Sequence, residues 1–469
     1  MPALQFSSQA YGRPGLGLPE ARLINCLLEA TPAGPTEAAR FGRPGLTLSG
    51  TVGSGPCGGR FRASGAFDGE TFEISGTQIY REGVLVGSLP GSGQTQWAFY
   101  GDDDESTSED QLGLLRDGVY YVYDGTTLDT IEDFDGTSDP LPYFVDIEVL
   151  SSRGVLLTRS GRYYYTDVSD LKAIDALSFA TAETAADGGV AMAKRGQQLA
   201  IFGNETTEWL YPTGDLTAPF QSTQSATFDR GCGCIGSVAC LDNTIVWVGE
   251  DRIVYRASDV PQRISTHGIE QRLRECDALE DVHADFVAHD GHSLYILHIP
   301  GQGSFVYDVS TTQWAEFQSY SRTLFRARYP LSLDGETTFG DDETNQIWHF
   351  DPEAFSDSGD PLTRLISGAA PVKSGAISCS NVMLQCARGV GLATGPGSQP
   401  VVQMRYSDDA GRTWSEWESE SLGAQGEYSV KAIWRRLGLM ESPGRLFEWR
   451  VTDPVLVTFS GATINEDRP

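Results

Sequence analysis

Lysine is nearly missing from this 469-residue chain. Only Lys172, Lys194, Lys373 and Lys431 occur, so nearly all of the 34 basic residues are arginine. Asp and Glu number 64, which leaves a formal net charge of −30. Such a chain is not built to wrap DNA by neutralising phosphates, which needs clustered Lys and Arg. Long apolar runs are also lacking. None approaches the roughly 20 residues of a membrane-spanning helix, and no basic stretch followed by an apolar run opens the sequence as a secretory signal would. The eight cysteines are scattered rather than packed into a disulfide framework, and they read as mostly free and buried. There is no phosphate loop, no Gly-x-Ser-x-Gly elbow and no zinc-protease helix. No catalytic set is recognisable, so the expectation is a protein that is not an enzyme and takes no cofactor. Helical periodicity is confined to one stretch, Ile269 to Leu279.

What is present points to an all-β fold. Glycine is abundant at 53 residues and aromatics make up 10% of the chain, a composition of turns and aromatic strands. One pattern recurs: a turn, then a short aromatic strand. It runs through Gln78-Ile79-Tyr80, Val119-Tyr120-Tyr121-Val122-Tyr123, Arg162-Tyr163-Tyr164-Tyr165 and Glu208-Trp209-Leu210-Tyr211. It continues through Ile253-Val254-Tyr255, Phe305-Val306-Tyr307 and Ile347-Trp348-His349-Phe350. Successive copies lie about 40 to 50 residues apart, the length of one four-stranded propeller blade. A partner strand precedes several copies at hairpin distance, as in Leu199 to Phe202, Thr244 to Val248 and Ser293 to His298. The expected architecture is a β-propeller of six or seven blades over 46–355. An N-terminal arm, docking or closing segment precedes it over 1–45, and an antiparallel β-sandwich follows over 356–469. Ser356 to Pro361 reads as the boundary, and longer alternating strands such as Val401 to Ser407 follow it.

Several local motifs invite a chemical reading. Ser407, Asp409, Gly411, Thr413 and Trp414 fit the Asp-box pattern Ser-x-Asp-x-Gly-x-Thr-Trp. Its logic is structural: the Asp carboxylate bonds the turn backbone, the Gly takes positive φ and the Trp packs under the hairpin. A glycan-binding or glycan-cleaving propeller of the sialidase type is the alternative, but a sialidase needs an arginine cluster, a Tyr/Glu pair and usually several such boxes. Asp133 to Asp139 resembles a calcium loop without its closing glutamate, and a solvated acidic turn is the simpler reading. The acidic run containing Asp102, Asp103, Asp104 and Glu105 reads as an exposed loop or, in a ring, as a channel-facing one. Cys232, Cys234 and Cys240 lack zinc-knuckle spacing, and His283, His289, His292 and His298 fall in or beside strands. No metal site is expected.

The sequence also resembles a family. Ala30-Thr31-Pro32, Arg43-Pro44-Gly45-Leu46, Phe202-Gly203 through Glu208-Trp209, His292 through Pro300 with Phe305 to Asp308, Trp434 to Gly438 and Arg450 to Val455 are similar, in order, to blocks of the packaged-DNA stabilisation proteins of short-tailed phages, the tail hub or nozzle. The resemblance implies a structural protein of the virion, in the phage tail and assembled in the host cytoplasm. It implies a ring of identical subunits, a homohexamer, that extends the DNA channel and helps retain packaged DNA. The implied partners are further copies of the chain, the head-to-tail adaptor, a fibre, spike or needle protein, and double-stranded DNA passing without sequence-specific binding. An acidic channel wall repels phosphates, which suits such sliding.

Overall fold

The computed structural model describes residues 3–8, 10, 21–30, 38–63, 66–101, 110–182, 187–222, 227–241, 244–258, 260–333 and 335–465. Strands dominate them. Six four-stranded antiparallel units follow one another over 57–88, 95–131, 144–181, 191–222, 239–263 and 283–317. A further four-stranded unit combines three strands of 327–351 with the strand Gly45–Thr51 from the beginning of the chain. Each recurring aromatic motif of the sequence is the third strand of one of these units, and the strand upstream of it is the second.

The strands differ by their distance from the axis, and their composition follows. Second strands are packed on both faces: all six residues of Arg153–Thr158 are buried, as are seven of the eight in His292–Ile299. They are therefore near-continuous apolar runs. Outer strands have one face in water, and Val84–Ser88 has no buried residue. Hairpins within the units use Asp290-Gly291 between a first and second strand, Asp117-Gly118 between a second and third, and Glu82-Gly83 between a third and fourth, all with positive φ at both positions. Two-residue turns of that shape match the right-handed twist of the strands. The apolar core is divided among the gaps between units. Phe61, Phe72 and Ile74 of the first unit meet Leu112, Leu114 and Tyr121 of the second, and similar clusters fill the next gaps.

The segment expected as an arm is paired throughout its described strands. Ala3–Phe6 pairs with Thr458–Ile464 through Ala3 and Leu4, then with Arg364–Pro371 through Gln5 and Phe6. Cys26–Ala30 pairs with Ala38–Gly42, which pairs in turn with Thr458–Ile464. These strands join a sandwich whose other members come from 364–464, packed around Trp434, Trp449, Phe447 and Phe459. Gly45–Thr51 then leaves the sandwich and closes the propeller against Gln346–Asp351.

The two domains meet at a buried seam. Leu23–Ile24 pairs antiparallel with Arg364–Pro371 of the sandwich and parallel with Gln313–Phe317 of the propeller. Beside it, Arg43 is fully buried and donates both Nη atoms to the Asp357 carboxylate, at 2.9 and 2.7 Å. Arg43 Nε donates to Asn25 Oδ1 at 2.9 Å, and its guanidinium lies 4.8 Å from the Phe325 ring centroid. Asp357 also accepts the Leu46 backbone N–H at 3.1 Å. A Cβ on Gly45 would stand 2.2 Å from the Ser356 carbonyl, so only glycine lets the two segments pass this close. The stretch read from sequence as a boundary is thus also a contact point.

The single α-helix among the described residues is His267–Glu275, between the fifth and sixth units. It starts two residues before the expected span and stops four short of its end. Thr266 caps its start by accepting from the Ile269 N–H, and Ile269 and Leu273, one turn apart, are its buried face. Leu279–Asp281 is a separate 3-10 turn.

Candidate functional site

The first strands of the units stand side by side around the propeller axis, and that of 327–351 returns to that of 57–88. They enclose a cavity of about 340 Å3 to which every unit contributes. Because side chains alternate along a strand, residues two apart share the axial face. That pairs Asp146 with Glu148 and His283 with Asp285, both pairs lining the cavity with Arg60, Thr95 and Tyr329.

Three local arrangements set its electrostatics. On one wall Arg60 Nε donates to Glu73 Oε1 at 2.8 Å, so that charge is neutralised from behind. On a second, Asp146 accepts the backbone N–H groups of Ile147 and Met192. Burial, aided by the neighbouring Glu148, raises its carboxyl well above the ordinary range. Burial pushes Glu148 up to about 7, against the pull of Lys194. On the third wall Asp285 sits between two imidazoles, with His283 Nε2 3.0 Å from Oδ1 and His298 Nε2 3.2 Å from Oδ2. Burial works to raise Asp285, but the adjoining His283 and His298 outweigh it and hold the carboxyl low. His298 is fully buried, and burial together with the Arg328 charge pushes it down to about 3. It is therefore neutral near pH 7. The Phe325 N–H donates to Ser304 Oγ, which leaves the Ser304 hydroxyl proton for His298 Nδ1 at 2.8 Å and puts the imidazole proton on Nε2. Tyr329 has φ of 51°, an uncommon backbone state for a bulky residue, at a bulge where its N–H reaches Asp285 Oδ1 at 3.0 Å.

The residues singled out by sequence lie elsewhere, apart from His283 and Cys240 on this wall and His298 behind it, beside Asp285. The Asp-box residues come together on the sandwich, in the hairpin between Val401–Ser407 and Glu418–Ser421. Thr413 donates to Asp409 from its N–H at 2.8 Å and its hydroxyl at 2.6 Å, and Ser407 Oγ donates to it at 2.8 Å. These bonds, Thr413's first, hold the Asp409 carboxyl down at about 2. Gly411 has φ of +89°, and Trp414 lies half-buried under the Arg405 guanidinium at 4.4 Å. The geometry is that of a braced turn. Asp102, Asp103, Asp104 and Glu105 lie outside the described residues. Asp133, Asp135 and Asp139 are exposed on a tight turn closed by the Phe134 N–H to Asp139 carbonyl bond, and no group of three or more metal-ligating side chains occurs among the described residues. All eight cysteines are free. Cys232 and Cys234 are buried with their thiols bonded to carbonyls, and Cys240 lies on the axial wall. His292 binds Asp308 at 2.8 Å, and His289 lies against the Phe350 ring.

Sequence reasoning missed Arg60, Thr95, Asp146, Glu148, Asp285 and Tyr329. Their one signal was polar residues two apart in strands that begin each repeat.

Comparison with known proteins gives a consistent picture. Residues 20–355 match the family model described as bacteriophage P22 Gp10, β-propeller, and residues 365–467 match bacteriophage P22 Gp10, β-sandwich. No match is found among curated proteins. Among solved structures, the computationally designed Ika8 protein is 12% identical over 74% of this chain and 98% of its own, with a TM-score of 0.37. BBS1N in complex with ARL6DN is 11% identical over 66% of this chain and 97% of its own, with a TM-score of 0.40. Scores this low carry no argument. The two family models between them account for most of the chain, in the order of its two domains, and the chain belongs to the bacteriophage P22 Gp10 family of β-propeller and β-sandwich virion proteins.

Proposed function

We propose that this protein is a structural ring component of a short-tailed phage tail, a hub or nozzle. In this reading identical copies, six in number, surround a lumen that continues the DNA channel. The ring docks on the head-to-tail adaptor, helps retain packaged DNA and supports a fibre, spike or needle. The observation that carries the reading is the match of both domains, in order, to the P22 Gp10 models.

Physical features support it. The propeller axis holds a 340 Å3 cavity walled by side chains, while the major groove of a duplex is by itself about 12 Å wide. DNA would therefore pass between copies rather than through any one propeller. The net charge of −30 disfavours sticking to phosphates, as a passage for sliding DNA requires. The propeller and sandwich are joined by strand pairing and by the buried Arg43–Asp357 pair, which suits a part that bears load.

The test is assembly. Light scattering and negative-stain microscopy of the full chain, alone and with the adaptor, should give a six-fold ring with a net-negative lumen. A particle that stays monomeric with its adaptor, or a ring with a net-positive lumen, would overturn the proposal.

A further inference from the structure

The propeller and the sandwich touch through more than one charged contact. Arg43 and Asp357 meet as guanidinium and carboxylate. A second cross-domain contact is made by an imidazole, the side chain whose charge changes between about pH 5 and 8. His292 opens the second strand of the sixth unit and is 7% exposed. Its Nδ1 lies 2.8 Å from Asp308 Oδ2, on the third strand of the same unit. Its Nε2 lies 3.6 Å from Glu29 Oε1, on the sandwich strand Cys26–Ala30. Leu27 and Glu29 are two apart and so share a face of that strand. Leu27 lies in one buried cluster with Val287 and Leu294 of the sixth unit, and this packing brings the Glu29 carboxylate to His292.

The surroundings decide where the imidazole proton sits. Asp308 accepts the N–H and the hydroxyl of Ser310 and the hydroxyl of Thr311. Burial works to raise its carboxyl, but His292 and these donors outweigh it and hold it below the ordinary range. In neutral His292 the proton therefore faces this carboxylate from Nδ1, and the Nε2 lone pair faces Glu29, which repels it. Protonation places a second N–H on Nε2, and one imidazolium then spans two carboxylates from different domains. The bond to Asp308, with Glu29 adding to it, raises His292 above its ordinary value against the pull of burial. His289 is a basic neighbour, paired across the hairpin on the first strand. Burial pushes His289 down, against the pull of Asp290 in the turn, so the charge of this pair falls on His292.

We propose that His292 is a proton-operated latch between propeller and sandwich, which closes onto Glu29 on acidification and opens as the imidazole loses its charge. This inference does not depend on the ring assignment. The native imidazole holds its proton more tightly than the unfolded chain, whose value is about 6.5. The latch is therefore fully made below about pH 6.5 and is lost as pH rises through the higher native value. The element that gains or loses its hold is Cys26–Ala30, with Ala38–Gly42 paired beside it.

Histidine-selective NMR titration of the full chain tests it, because only six histidine signals are expected and His292→Gln identifies the one concerned. His292 should titrate above about pH 6.5, and Glu29→Gln should lower its midpoint by about 0.2–0.7 pH unit, the equivalent of a half-exposed ion pair. Hydrogen exchange, corrected for its intrinsic pH dependence, should show the 26–30 amides of the wild type losing about two- to fivefold protection between about pH 6 and 9, and those of Glu29→Gln losing less. Should His292→Gln fail to fold by circular dichroism, the exchange comparison of wild type with Glu29→Gln carries the test alone. The proposal falls if His292 titrates at or below about pH 6.5, if Glu29→Gln leaves its midpoint in place, or if wild type and Glu29→Gln lose protection equally.

Discussion

Two of the places where the molecule buries charge treat it differently. At the seam between propeller and sandwich, the Arg43 guanidinium and the Asp357 carboxylate are paired through two hydrogen bonds and braced by Asn25 and the Leu46 N–H. On the propeller axis, carboxyls outnumber their counter-charges and several polar atoms remain open. A satisfied buried pair fixes geometry, and removing one partner leaves the other charge stranded. An unsatisfied group destabilises the fold and is retained where something else completes it. The seam therefore reads as a fastening, while the axis carries carboxyl groups in excess of basic ones.

That contrast can be broken by mutation. The largest expected effect is at the seam: Asp357→Ala strands the Arg43 charge and should destabilise the fold by about 3–5 kcal/mol in urea denaturation. The paired replacement Arg43→Met with Asp357→Leu should lose clearly less than either single change. A double variant as damaged as the single would sink the account of a charge left stranded. Next, Gly45→Ala forces a Cβ against the Ser356 carbonyl and should cost about 1–3 kcal/mol, while the same change at Gly50, where nothing lies within 4 Å, should be nearly silent.

At the axis the sign reverses. Glu148 keeps a native pKa near 7, above its unfolded value, so between about pH 4.5 and 7 the unfolded chain releases a proton that the native state holds. Stability falls as pH rises through that window, and the full penalty stands above it. Glu148→Gln should therefore stabilise the protein by about 1–2 kcal/mol at pH 8 and leave it unchanged at pH 4. Destabilisation at pH 8 would show that Glu148 is already paired. The smallest effect is expected from Asp409→Ala. Hydrogen exchange should show loss of protection confined to the 407–418 hairpin, with the global unfolding midpoint unmoved, because the bonds it removes are local and exposed.

The propeller was legible because its signal is local. Each aromatic strand copy and each upstream strand announced a hairpin through turn residues and β-propensity, and those became the third and second strands of the units. The Asp-box turn was legible for the same reason, since its bonding lies within seven residues. The helix was placed but not bounded: Cys276 and Leu279 continue an apolar spacing that the chain does not continue as a helix. The axial site was not legible. Asp146 and Asp285 look like ordinary exposed-strand residues until seven separate first strands are brought around one axis.

By itself, then, the sequence determined the strand repeat, the turn chemistry, the excess of acid and the family blocks, all properties of short stretches or of bulk composition. Only the tertiary structure decided that the first strands of the chain belong to its last domain, that Arg43 meets Asp357, and that unlike residues of different units share one polar cavity. The physical reason is separation along the chain. Contacts between residues some three hundred positions apart leave no periodicity behind, and burial of a charge is a property of what surrounds it rather than of the residue itself.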